Sequence, residues 1–425
     1  MPTSLQPVRG MRDLIGEEAQ IFTTILGKAR QTAECYGFCE VVVPHVESFE
    51  LLSAKSGEEI RQRMFIFKDL GERQVALRPE FTASIARLVT TVLRNEPKPL
   101  RLFSSGTVYR YDEPQKGRYR EFWQSNFELM GSSRPEADAE IVLLTNALMA
   151  SLGLEGYVFK IGHIGVIRGI LGQDGVDEKT QNAVLQKMDK KDYDAALELV
   201  DSEKSRSMLE GLITLKGNNW REIVNQMQIY VANYPIAKLA VENLGDILGL
   251  IAESGDLRVE VEPAFARGLE YYTGMIFEIY VPQLDIALGG GGRYDRLIEV
   301  FGGDATPAVG CAHGIDRVAI ALQTQKAIGG KKVTKKVAVI PITEALKPQA
   351  LRIAQQLRLA GVAVEFEVMG RKMVKALEYA DKRKSDYAVI VGERELKDGT
   401  VMLKDLSSRQ QNIIAIEKLA ETITG

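Results

Sequence analysis

The sequence predicts an α+β fold in two parts, an antiparallel-sheet core carrying a helical insertion and then a smaller α/β domain. Extended runs of alternating polarity, separated by turn residues, fill much of residues 41–131 and return after Asp256. A polar stretch rich in Lys, Glu and Gln, from Leu171 to about Tyr230, carries apolar residues at helical spacing and almost no strand signal. Beyond Val337, strands and helices alternate, which implies a largely parallel sheet. A chain of 425 residues exceeds what one hydrophobic core normally serves, so two or three domains are expected.

In chain order, Glu17 to Tyr36 reads as a helix and VVVPHVE (Val41 to Glu47) as a strand. MFIFKDLGERQVALRPE reads as a hairpin turning at Gly71, and Pro79 at a helix start places Glu80 and Thr82 near the helix N-terminus. The stretch from Arg101 to Gly131 is a second hairpin, its two extended runs flanking a turn at Asp112 to Tyr119. On the return run Phe122, Gln124, Asn126 and Glu128 share one parity, while Trp123, Ser125, Phe127 and Leu129 share the other, mostly apolar one. One face should pack and the other should present a ring, an amide and a carboxylate.

After the insertion, RVEVEPAFARGLEYYTGMIFEIYVP reads as strand. In a regular strand Tyr271 and Tyr272 would point opposite ways, and Arg267 could join Tyr272 in one pocket only if the backbone bent near Gly268. GGGGRYD (Gly289 to Asp295) sits between an apolar run and an amphipathic one, where glycine permits close approach of a ligand or a chain. VGCAHGIDRVAIALQT puts Ile315, Val318, Ala319 and Leu322 on one helical stripe with Arg317 opposite. AIGGKKVTKKVAVI marks the boundary of the last domain. A strand is expected there at 337–342, then a helix at 345–360, a strand at 362–368, a helix at 371–382, a strand at 387–391, a hairpin turn at KDGT and a last helix.

Composition narrows the class. Hydrophobic residues make up 45% and charged residues 26%, as in a soluble globular protein. No apolar run approaches the ~20 residues a membrane helix needs, and MPTSLQPVRG lacks a signal-peptide core, so a cytoplasmic protein with no membrane partner is expected. Cys35, Cys39 and Cys311 are too few for a disulfide framework, and with three histidines in the chain no metal site is expected. A net charge of −3 argues against wholesale coating by nucleic acid but leaves room for local basic patches. Arg110, Lys116, Arg118 and Arg120 form such a patch around the second hairpin turn, and a guanidinium fork suits phosphate.

Taken together, these stretches resemble the histidyl-tRNA synthetase family of class II aminoacyl-tRNA synthetases. VVVPHVES, with Pro44, resembles motif 1; YRYDEPQKGRYREFWQSNFELMG resembles motif 2; and VGCAHGIDRVAIAL resembles motif 3. ARGLEYYTG and GGGGRYD resemble the two histidine signatures, and RGMRDL fits the family's usual opening. The resemblance implies a class II catalytic domain over residues 1–325, a helical insertion at 171–230 and an anticodon-binding domain at 331–425.

It also implies a histidine-tRNA ligase that forms histidyl-adenylate from L-histidine and ATP, with Mg²⁺, and passes the histidyl group to the 3′ end of tRNA(His). Arg110 and Arg267 would be catalytic, Arg267 also binding histidine by bridging its carboxylate and the α-phosphate; Glu80, Thr82 and Gln124 would hold the ammonium group; Glu128 and Tyr272 would read the imidazole, with Tyr271 lining the pocket. Arg110 and Arg118 would bind phosphates, and Phe122 and Arg317 would sandwich the adenine. Gln115, Lys116 and Arg120 would meet the tRNA acceptor end. Lys331, Lys332, Lys335, Lys336 and the run Arg371 to Lys384 would meet RNA phosphates, and motif 1 implies a homodimer. Asp112, Trp123 and His313 are mild departures from the family pattern. The alternatives are a non-catalytic synthetase-like regulatory subunit of histidine biosynthesis, and an RNA-binding α/β protein without catalysis.

Overall fold

The structure is a computed structural model that describes residues 5–54, 58–255, 257–267, 271–327 and 335–424. It divides into two compact units, Met1–Gly329 and Gly330–Gly425.

In the first unit the strands, in chain order, are β1 (Cys39–Glu40), β2 (Val46–Ser48), β3 (Ile66–Lys68), β4 (Gln74–Leu77), β5 (Leu100–Tyr109), β6 (Glu121–Met130), β7 (Val158–His163), β8 (Val259–Val261), β9 (Met275–Tyr280), β10 (Gly289–Arg293) and β11 (Ala308–Gly314). Eight of them form one sheet in the order β1-β5-β6-β11-β10-β9-β7-β8. Its six central strands are antiparallel, and parallel pairs close both ends. The second hairpin of the sequence is β5 and β6, registered from Leu100 opposite Met130 to Tyr109 opposite Glu121.

Alternation along β6 sorts its side chains between two environments. Phe127 and Leu129 pack with Ile21, Phe22 and Ile25 of the helix Gly16–Cys35 and with Ile141, Leu144 and Leu148 of the helix Pro135–Ser151. Of the opposite parity, Met130 packs in a second core with Ile164 and Ile167, and the residues from Phe122 to Glu128 line a cleft.

Two expected strands form differently. Val41 to Glu47 is broken, because Cys39–Glu40 pairs with β5 whereas Val46–Ser48 joins β3 and β4 in a separate sheet. Pro44 has no N–H to give to a ladder, and the carbonyls of Val43 and Pro44 accept instead from the buried guanidinium of Arg78, at 2.7 and 3.2 Å. The run from Arg258 is strand only at Val259–Val261 and again at Met275–Tyr280, with Tyr271 to Gly274 irregular between them. The bend expected near Gly268 lies outside the described residues.

Between β7 and β8 the chain is helical, through Ile164–Gln173, Glu178–Asp189, Tyr193–Glu198, Glu203–Thr214, Trp220–Tyr230 and Pro235–Ser254. Asp177, Ser202 and Asn219 cap three of these helices through backbone N–H groups three residues on. Leu212, Val224, Met227, Val241 and Leu244 belong to the same core as Phe127, so these helices pack on the sheet.

The second unit has its own core around a sheet ordered β13-β12-β14-β15-β16, with β12 Lys336–Pro341, β13 Ala363–Phe366, β14 Tyr387–Val391, β15 Thr400–Asp405 and β16 Gln411–Ala415. β12, β13 and β14 are parallel, whereas β15 and β16 are antiparallel additions that the strand pattern of the sequence does not announce. KDGT is not a hairpin turn: it joins the short helix Glu393–Lys397 to β15, with Gly399 at φ +67°.

Candidate active site

A cleft with about 1000 Å³ of empty space, continuous with solvent, opens on the opposite face of the large sheet, beside a second core formed with Ile85, Ile164 and Ile167. Phe122, Gln124, Asn126 and Glu128 all line it, as their shared parity predicts. Glu80 and Thr82 reach it from the start of the helix Thr82–Thr91, Arg110 and Arg118 from the hairpin loop, and Arg317 from the first turn of the helix Ile315–Gln325. Arg267, Tyr271 and Tyr272 complete it from the segment before β9. Side chains from four separated stretches of chain thus share one concavity with convergent polar groups, the usual form of a ligand site.

The floor is acidic and fully bonded. Glu128 is 1% exposed. One of its carboxylate oxygens accepts from Thr82 Oγ1 at 2.7 Å and from Asn126 Nδ2 at 2.6 Å, and the other accepts from the Tyr294 hydroxyl. Burial raises the Glu128 carboxyl to about 7, against the pull of those three hydrogen bonds toward the ionised form. A side chain at Gly310, on the adjacent β11, would collide with this carboxylate, so glycine is what admits it. Tyr271 packs edge-on against Tyr294 at 5.6 Å and lies 5.0 Å from Tyr272, ring centre to ring centre. Burial pushes the Tyr272 hydroxyl up to about 12.

The rim is cationic and only partly compensated. Arg110 donates from Nε to the Pro79 carbonyl at 3.0 Å and lies 5.4 Å from the Phe122 ring, and burial lowers its pKa. Arg317 donates to the Ala287 carbonyl at 2.9 Å and to the Gly117 carbonyl at 3.4 Å. Burial, then Arg118, then Arg110 all push the Arg317 pKa down. Arg267 pairs with Glu278 at 2.8 Å; burial opposes its charge, but Glu278 together with Tyr272, Asp189 and Tyr271 outweighs burial, so its pKa is raised. Gly290 leaves the space this guanidinium occupies above β10. At the amide end, Gln124 Oε1 is buried without a hydrogen-bond partner, an acceptor waiting for a donor.

The decisive observation is a sequence match over nearly the whole chain: a family model described as histidyl-tRNA synthetase covers residues 10–318, and one described as an anticodon binding domain covers 336–425. The chain belongs to the histidyl-tRNA synthetase family. Histidine–tRNA ligase of Methanocaldococcus jannaschii is 39% identical over 424 residues, 99% of each chain. A crystal structure of histidyl-tRNA synthetase from Nostoc sp. PCC 7120 superposes with a TM-score of 0.83 at 23% identity, covering 99% of both chains. A Bacillus halodurans protein described as an ATP phosphoribosyltransferase regulatory subunit/histidyl-tRNA synthetase gives 0.79 at 25% identity over 92% of this chain and all of that one.

Within the synthetase motifs, some residues sit differently from expectation. Glu80 accepts the backbone N–H groups of Thr82 and, at 2.9 Å, Ala83, so it caps its helix as well as lining the cleft. The Thr82 hydroxyl proton is committed to Glu128. Gln115 and Lys116 are exposed at the loop tip, where Gln115 and Arg118 bridge each other. Arg120 is instead buried, its guanidinium 3.6 Å over the Tyr111 ring and bonded to the Asp112 carbonyl, so it braces the loop and is not free to meet RNA. His313 lies on the far side of the sheet, bonded to Ser125 and Thr145, with its pKa pushed down to about 3 by burial. Of the basic residues expected to meet RNA, Lys331 and Lys332 fall outside the described residues, and Lys335 stands 3.6 Å from Asp386.

Asn126, Glu278 and Tyr294 carry no role that the sequence alone assigns. The parity of Asn126 was legible, and Tyr294 sits in the GGGGRYD signature, where the glycines already signalled close approach. Glu278 carried no local signal, because only the sheet register brings it under Arg267.

Proposed function

We propose that the cleft joins L-histidine to ATP and then to tRNA(His), the reaction of a histidine–tRNA ligase. The observation that carries this reading is the acidic floor around Glu128 set beside Arg110, Arg118, Arg267 and Arg317 in one cavity. In the first step a carboxylate oxygen of histidine attacks the α-phosphorus of ATP, the bond to the bridging oxygen breaks, and pyrophosphate leaves. Two anions must approach, and Arg267 and Arg110 supply the charge that makes this possible, so positioning and electrostatics dominate. In the second step the 3′ hydroxyl of the terminal adenosine attacks the histidyl carbonyl carbon and AMP leaves.

Specificity follows from the floor. Gln124 Oε1 and the Glu80 carboxylate receive the ammonium group, while Glu128 and Tyr272 take the imidazole nitrogens. An apolar side chain would offer neither Glu128 nor Tyr272 a hydrogen-bonding partner, and sites built to bond a polar substrate group can discriminate by about 10⁴-fold. Phe122 and Arg317 flank the adenine, and Arg118 reaches the γ-phosphate. Mg²⁺ enters with ATP as its counter-ion: no cluster of three potential ligands occurs among the described residues, and Glu278, Glu128 and Glu80 are already engaged.

Gln115 and Lys116 at the loop tip face the tRNA acceptor end. Lys336 and the segment Arg371 to Lys384 in the second unit meet RNA backbone. The exposed apolar side chains Val42, Val46, Ile66 and Phe67, which surround motif 1, support a homodimer. No helix among the described residues is long and apolar enough to cross a membrane, and the cytoplasm is the proposed location. Histidine charging of tRNA(His) transcripts tests the whole: formation of histidyl-tRNA is expected, and its absence with active ATP and tRNA overturns the proposal.

A further inference from the structure

The opening RGMRDL is the one motif the reaction leaves unused, and the structure lays it across the base of the motif 2 loop. Arg9 pairs with Glu113 at 2.7 Å, an exposed contact that contributes little by itself. The Gly10 carbonyl accepts the Arg120 N–H at 2.8 Å, and the Arg120 side chain packs against Gly10 so closely that a Cβ there would come within 2.6 Å of it. Gly10 also has φ +85°, a conformation that other residues rarely adopt. Two residues on, the Arg12 guanidinium lies 3.6 Å from the centre of the Tyr119 ring and donates at 2.8 Å to Asp316. Asp316 is 4% exposed, and its other oxygen accepts the Trp123 N–H at 2.8 Å.

These contacts join three parts of the ATP half of the cleft. Tyr119 follows Arg118 in the loop, Trp123 lies between Phe122 and Gln124 on β6, and Asp316 precedes Arg317 on its helix. Arg12 Nε and Nη1 are buried with no acceptor; the Tyr119 ring at 3.6 Å is the nearer of two aromatic faces that compensate the guanidinium, the other being Phe22 at 5.7 Å, and Glu18 stands 3.5 Å from Nη2. The histidine end of the cleft, by contrast, is held by Thr82, Asn126 and Tyr294 without help from the strap.

We infer that Arg12 is a positioning residue for ATP: through Tyr119 and Asp316 it holds the motif 2 loop and the Arg317 helix in register over the triphosphate. The inference rests on ATP being the substrate of this cleft. A residue that acts this way should separate the two substrates, whereas a merely structural one would not.

The test compares Arg12→Met and Tyr119→Leu with the parent protein. Three quantities are read: the KM values for ATP and histidine in pyrophosphate exchange, calorimetric ATP binding, and the rate of tryptic cleavage after Lys116 and Arg118. Both variants should raise the KM for ATP about tenfold or more and leave the histidine KM within about twofold. Both should also speed tryptic cleavage of the loop over the parent, and saturating ATP should restore most of the exchange rate. Tyr119→Leu leaves the Arg12–Asp316 pair intact and is sufficient by itself to decide the question if Arg12→Met does not fold. ATP affinity within about twofold of the parent, or a histidine KM that rises in parallel, overturns the inference. Calorimetry and proteolysis read the strap even if the parent activates some other amino acid, so failure of the functional proposal would be seen separately.

Discussion

The two halves of the cleft are built on opposite principles. At the floor, both oxygens of Glu128 are bonded to protein donors before any substrate arrives, and the carboxyl still sits near 7 because burial penalises its charge. At the rim, Arg110 and Arg317 have carbonyl partners but no carboxylate within ion-pair distance among the described residues; burial lowers the pKa of both, and Arg118 and Arg110 lower that of Arg317 further. A finished polar network selects by what it refuses, since any ligand must match groups already fixed in place. An under-compensated cluster of guanidiniums instead stores affinity for an anion. Arg267 stands between the two, paired with Glu278 yet still lining the cleft.

Changing the joint should matter most. Arg267→His is expected to lower exchange by about 10³-fold while histidine binding stays measurable by calorimetry, and near-normal exchange would remove its catalytic role. At the floor, Glu128→Gln should raise the histidine KM by about 10²-fold and leave the ATP KM nearly unchanged.

The floor also has a pH signature. In the parent, histidine affinity should fall as pH drops through 7, because Glu128 takes up a proton. The Gln variant should show only the dependence due to the substrate imidazole itself. Stability runs the other way: the folded state holds this proton more tightly than the unfolded chain, so the empty protein loses stability as pH rises from 4.5 to about 7. Thermal melts of the parent should therefore lose stability between pH 4.5 and about 7 by a slope that Glu128→Gln lacks, and equal slopes in both would contradict the picture of a carboxylate penalised by burial.

Arg118→Ala at the exposed rim should raise the ATP KM about tenfold, a loss that saturating nucleotide restores. Removal of residues 331–425 should have the smallest effect on exchange, because neither half of the cleft draws on them, yet it should sharply lower tRNA charging. Equal losses in both assays would make the second unit a structural support.

Sequence made the floor legible where backbone periodicity was regular. Ten residues of β6 alternate without a break, so parity alone assigned Phe122, Gln124, Asn126 and Glu128 to one face. The same logic failed for Tyr271 and Tyr272, because residues 271–274 are not strand and both rings reach the cleft. Arg120 misled for a different reason: its charge marked the loop, but burial against Tyr111 and Gly10 is a tertiary fact. In the second unit the three parallel strands were legible from their apolar runs, whereas Gln411–Ala415, an exposed edge strand, has no such pattern.

The claim that an acidic, ring-sized slot and a guanidinium cluster act as one site is tested most directly by pyrophosphate exchange into ATP with each of the twenty amino acids in turn. Exchange with histidine alone, lost in Glu128→Gln at ordinary histidine concentrations, is the predicted result. Exchange with another amino acid, or with none, would contradict it.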